Sequence, residues 1–105
     1  MATPPLVLEK TGAPPGFDEP GARSERWRVG EAVFSLQYRK DTCAVYAPTD
    51  LTLSAQKQIA DRIGVRWETT AIIGGEVLVV AADDAQALLR ALADALSAAD
   101  GSTTR

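Results

Sequence analysis

Histidine is absent from the 105 residues, and cysteine occurs once, at Cys43. The first absence removes the commonest general base, the commonest metal ligand and the side chain that ordinarily titrates near neutral pH. The second excludes an intramolecular disulfide and a cysteine zinc cluster, a usage that fits a reducing, cytoplasmic setting. Aromatic residues are sparse, at 6%. No apolar run approaches the roughly 18 residues a membrane span needs, and Met1–Pro5 has neither the basic nor the apolar region of a secretory signal. With these gaps the expectation is a cytoplasmic protein that is not an enzyme and has no catalytic residues, cofactor, metal site or membrane span.

What remains is ordinary globular material. Hydrophobic residues make up 46% and charged residues 24%, close to the usual soluble composition. The length allows one domain with a single modest core. Five of the six prolines (Pro4, Pro5, Pro14, Pro15, Pro20) fall within residues 1–24, together with Gly12, Gly16 and Gly21. Missing backbone donors and high unfolded entropy work against a helix or central strand there. Residues 1–24 therefore read as an N-terminal arm, with Leu6–Glu9 as an optional edge strand and Phe17 as an anchor.

A period of two begins at Glu25. Residues 25–29 and 31–39 read as strands around Gly30, and Ala32, Phe34, Leu36 and Tyr38 alternate with Val33, Ser35, Gln37 and Arg39. Thr42–Tyr46 follows as a third strand. Thr52 or Ser54 can cap a helix running to Ile63, with Gly64 positioned as its left-handed stop. Val65–Ile73 and Val77–Ala81 form a hairpin about Gly74-Gly75. Asp83, with Gln86 three residues on, caps a helix over residues 84–99 lined by Ala85, Leu88, Leu89, Leu92, Leu96 and Ala99, and Asp100-Gly101 closes it. The expected fold class is α+β: a two-layer sandwich with a five-stranded, mainly antiparallel sheet (β-β-β-α-β-β-α) and two helices on one face. The arm spans residues 1–24, the domain 25–100 and a C-terminal tail 101–105.

The features that could carry chemistry each have a structural account. Cys43 reads as a small buried hydrophobe in a strand. Asp83 and Asp84 sit at a helix start, where capping accounts for both. Gly74-Gly75 joins two strands and does not run from a strand into a helix, as a phosphate cradle would. A basic-aromatic stretch is the exception. Residues 22–40 hold Arg23, Arg26, Arg28, Arg39 and Lys40 against Glu25 and Glu31, net +3 within a chain of net charge -3, and Trp27, Phe34, Tyr38 and Tyr46 are interleaved. Arginines on phosphates and aromatics under bases is how single-stranded nucleic acid is held, which makes Arg26, Arg28, Arg39 and Lys40 candidate contacts for nucleic acid or another partner. Self-association is the other reading. Val77–Ala81 is apolar on both faces, and alanines widen the apolar stripe of the last helix, so Val77, Val79, Ala91 and Ala95 are candidate dimer contacts.

In element order alone, β-β-β-α-β-β-α is similar to the core of small acidic, dimeric secretion chaperones. That resemblance implies a dimer that clamps an extended partner chain, and it carries over no residue. The leading expectation is a non-enzymatic homodimer that works by protein–protein contact. Single-stranded nucleic-acid binding through residues 23–40 is the alternative, and a small ligand sensor or carboxylate enzyme is the third.

Overall fold

Alternation builds a six-stranded antiparallel sheet in this computed structural model, which describes residues 5–12 and 22–103. The strands are β1 (Val7–Gly12), β2 (Arg23–Val29), β3 (Ala32–Tyr38), β4 (Thr42–Tyr46), β5 (Trp67–Ile72) and β6 (Gly75–Ala81), and the helices are α1 (Leu53–Arg62) and α2 (Ala85–Thr103). The sheet order is β1-β2-β3-β4-β6-β5, and every neighbouring pair is antiparallel. The chain is thus a small α+β domain with six strands where the sequence implies five. The sixth is β1 (Val7–Gly12), which overlaps the optional edge strand Leu6–Glu9 within the expected arm and extends three residues beyond it. The expected anchor Phe17 lies outside the described residues.

Period two sorts β2, β3 and β4 into a buried and an open set of side chains, whereas β6 buries Val77 as well as Leu78 and Val80. Trp27 and Val29 of β2, Phe34, Leu36 and Tyr38 of β3, Cys43 and Val45 of β4, and Leu78 and Val80 of β6 join one core with Ile59 and Ala60 of α1 and Ala85, Leu88, Leu89, Leu92 and Ala93 of α2. Phe34, Leu36, Leu78, Leu88, Leu89 and Leu92 are fully enclosed. Burying each such side chain contributes about 1.5–3 kcal/mol.

The connections follow local chemistry. Thr52 caps α1 by accepting a hydrogen bond from the Ala55 N–H at 3.1 Å, which satisfies one of the otherwise unpaired first-turn donors. Gly64 follows with φ +79°, a left-handed angle that L side chains rarely adopt. Three sequence expectations shift. The β5–β6 turn is Ile73-Gly74 and not Gly74-Gly75, since Ile72 pairs with Gly75 and Gly74 takes φ +92°. Asp83 is not the cap of α2; it lies inside a 3-10 turn over Ala82–Asp84 that leads straight into the helix. α2 also runs past Gly101 to Thr103.

Candidate interaction surface

The register aligns the open set of side chains into rows across the sheet. One row runs Ser24–Gln37–Ala44–Val79–Glu68 across β2, β3, β4, β6 and β5. A second runs Arg26–Ser35–Tyr46 across β2, β3 and β4, with Lys10 of β1 in register beside Arg26. In a third, Val7 pairs with Arg28 and Arg28 with Val33. Val7 and Val33 are each 41% exposed and Ile72 is 37% exposed, although all three are apolar. A shallow concavity of about 380 Å³ on this side is lined by Gln37, Thr42, Ala44, Tyr46, Thr70 and Val79 among others.

The four basic candidates are partly brought together. Arg26 and Arg28 share the open set on β2, both exposed, and Arg28 Nε lies 3.5 Å from Glu9 Oε1. Arg39 follows the end of β3 in phase with Gln37, and its N–H donates to the Thr42 carbonyl at 2.7 Å. Lys40 occupies the exposed β3–β4 turn. Of the interleaved aromatics, Tyr46 alone joins this set; Trp27, Phe34 and Tyr38 belong to the other parity and pack in or against the core. The candidate dimer contacts separate onto two surfaces. Val77 and Val79 share the open parity of β6, with Val77 only 4% exposed between its neighbouring strands. Ala91 and Ala95 lie on α2, half-buried against the core.

The buried parity holds a polar cluster that reasoning from sequence missed. Glu25, 9% exposed, accepts from Trp27 Nε1 at 3.0 Å through one carboxylate oxygen and from Arg23 Nε at 3.1 Å through the other. The Arg23 guanidinium then lies 3.9 Å from the centroid of the Tyr38 ring. Pairing explains the stack, because Arg23 sits opposite Tyr38 and Tyr38 opposite Cys43. Hydrogen bonding to Glu25 raises the Arg23 pKa. Burial, followed by the nearby Cys43 and Glu25, raises that of Tyr38. Burial first and the Glu25 charge second push the Cys43 thiol up to about 12. A thiol held so far above neutrality carries almost no thiolate, the form that reacts. The signal for Glu25 was present in the sequence as its phase, since it shares the period of Trp27 and Val29.

A larger concavity, about 820 Å³, lies where β5 begins, lined by Asp41, Asp61, Arg66, Trp67, Glu68 and Ala81 among others. Trp67 Nε1 donates to Asp61 Oδ1 at 2.9 Å, and Lys57 Nζ stands 5.1 Å from the ring centroid. The last turns of α1 are thereby tied to the sheet edge. Among the described residues no three carboxylate, thiol or imidazole groups gather as a metal set, and no helix is long and apolar enough to cross a membrane. No protein-family model, curated protein or solved structure matches the chain.

Proposed function

We propose that this chain is a non-enzymatic, cytoplasmic binding protein. It is a two-layer sandwich that self-associates as a homodimer and acts by protein–protein contact through the open face of its sheet. The observation that carries this reading is the division of side chains by parity. The inward set of the central strands packs with both helices in a single core, while the outward side leaves Val33 of β3 exposed, together with Val7 and Ile72 of the edge strands β1 and β5. Apolar side chains left in water on a sheet that is otherwise well packed favour contact over chemistry. The state of Cys43 points the same way, because its buried thiol, pushed up to about 12, is unsuited to nucleophilic work. Light scattering over a range of protein concentrations tests the self-association: twice the chain mass is expected, and a strict monomer throughout would overturn it.

One observation favours single-stranded nucleic acid as a second reading. Arg26 and Tyr46 occupy one row through Ser35, two strands or roughly 10 Å apart, a spacing at which one group can meet a phosphate and the other a base. Fluorescence anisotropy with a labelled oligonucleotide decides it. Absence of binding at low salt, where phosphate contacts are strongest, eliminates this reading.

A further inference from the structure

We infer that β5 is a strand-pairing edge that joins a second copy of this chain, antiparallel and centred on Thr70, merging two six-stranded sheets into one of twelve. This rests on the self-association proposed above and names the surface that produces it.

The two edges of the sheet differ in kind. At one end, β1 breaks register between Leu8 and Lys10 and follows Pro5; a bulge and a proline are devices that blunt a sheet edge. At the other end, β5 keeps unbroken register from Trp67 to Ile72 and contains no proline, lysine or bulge. Its one charged residue is Glu68, and α1 reaches it only at Trp67 through Asp61, so residues 69–72 present a continuous template.

The hairpin fixes which backbone groups that template offers. A two-residue connection between Ile72 and Gly75 closes on a hydrogen-bonded pair, and such pairs alternate along an antiparallel ladder. Thr70 and Glu68 therefore bond inward to their partners Val77 and Val79. Trp67, Thr69 and Ala71 turn their N–H and C=O groups outward.

Two-fold pairing about Thr70 sets Thr69 opposite Ala71 and Glu68 opposite Ile72 of the second copy, so that the turn residue Ile73, next after Ile72, falls at the Trp67 end of the second copy's strand. Ile73 is 104% exposed at the hairpin tip, an apolar side chain with nothing over it. In this register it arrives beside Trp67 and Arg66, both of which line the concavity of about 820 Å³. Pairing about Thr69 instead would bring Ile73 to Val65, which is already 9% exposed and committed to the core. Each copy thus carries a knob and the recess that receives it, and a two-fold axis exchanges them, as an isologous interface requires. An unrelated extended peptide would satisfy the outward backbone groups but would bring no matching knob.

Cysteine cross-linking tests both the edge and its register. Thr70 meets its own copy as a non-hydrogen-bonded pair, with Cα atoms about 4.5 Å apart, within reach of a disulfide. Glu68 is four residues from its own copy in this register, roughly 14 Å, out of reach. Thr70→Cys is expected to run as a covalent dimer on a non-reducing gel after mild oxidation, and Glu68→Cys as a monomer. Native Cys43, fully buried, does not compete. Ala71→Pro, which deletes an outward N–H, is expected to give a monomer by light scattering with an unchanged far-ultraviolet spectrum; should it fail to fold, the cysteine variants decide alone. A native dimer in which Thr70→Cys does not cross-link, or both cysteines cross-link equally, overturns the β5 edge and leaves self-association standing. A native monomer at every concentration overturns both.

Discussion

Raising the pH across the alkaline range tests the buried face of the sheet through Cys43. Its thiol ordinarily titrates at 9.0 and is pushed up to about 12 here, by burial first and by the Glu25 charge second. The unfolded chain therefore releases this proton about three decades of pH before the folded one does. Stability from this group is complete below about pH 9 and is lost as pH rises from there towards about 12. At about 1.4 kcal/mol per pK unit, the loss between pH 8 and pH 10.5 is about 2 kcal/mol. Urea denaturation at half-unit steps of pH measures it, read against Cys43→Ala, which removes the thiol and should lose that part of the slope. Tyr38, raised by burial first and by the nearby Cys43 second, acts in the same direction; its burial contribution remains in the variant, so the difference between the two curves reports Cys43 together with its coupling to Tyr38. The same thiol should resist Ellman's reagent at pH 8. About one molecule in ten thousand is thiolate there, against about one in ten for an ordinary cysteine. Equal alkaline slopes for the two proteins, or complete labelling of the native fold within minutes, would refute the account.

Three further outcomes follow from individual contacts. Glu25→Ala leaves the Trp27 N–H and the Arg23 guanidinium without their acceptor and should cost about 2 kcal/mol in urea melts. Glu25→Gln, which keeps an acceptor for Trp27, should cost less than half of that, because Arg23 is half exposed and its ion pair is weakened by solvent. Thr52→Ala removes the α1 cap and should lower stability by about 1 kcal/mol, with Thr52→Asp restoring most of it. Leu88→Ala opens a cavity in a fully enclosed site and should cost about 2–5 kcal/mol in the same assay.

Elements ruled by local chemistry were legible in the sequence. The inward set Ala32, Phe34, Leu36 and Tyr38 followed from period two, and α1 from its threonine cap and its terminal glycine. What was not legible depends on distant partners. β1 was legible only as the optional edge strand Leu6–Glu9, because proline precedes it and glycine ends it; pairing with β2 supplies the hydrogen bonds and carries it from Val7 to Gly12. Gly74-Gly75 left the turn ambiguous by one residue, because either glycine accepts a positive φ, and pairing of Ile72 with Gly75 settles it. Asp83 with Gln86 has the spacing of a capping box, yet the chain enters α2 through a 3-10 turn in which Ala81 takes the extended cap angles. For the candidate surface, the period of two is enough to place Arg26 and Arg28 on the opposite side of β2 from Trp27. That Tyr46 would rejoin the arginines could not be read from spacing, because it requires Ser35 to pair with both Arg26 and Tyr46.

The two contact surfaces also differ in the kind of association they can support. Six strands at about 4.8 Å spacing span roughly 24 Å, more than two helices of about 10 Å each. Residues of α1 and α2 share one core with the inward parity of β2, β3, β4 and β6. The open side is left with small or polar side chains in its central row, Ser24, Gln37 and Ala44 beside Val79, and with exposed Arg26 and Arg28 at one flank. A face of that composition resembles the rim of an interface more than its dry centre, so it suits exchangeable contact with a partner. A permanent dimer needs continuous backbone pairing or a large apolar area, and β5 offers the first together with the exposed Ile73. In the proposed dimer, joining copies through β5 would leave the open face uncovered and double its width, so that dimer formation and partner contact would draw on separate surfaces of one sheet.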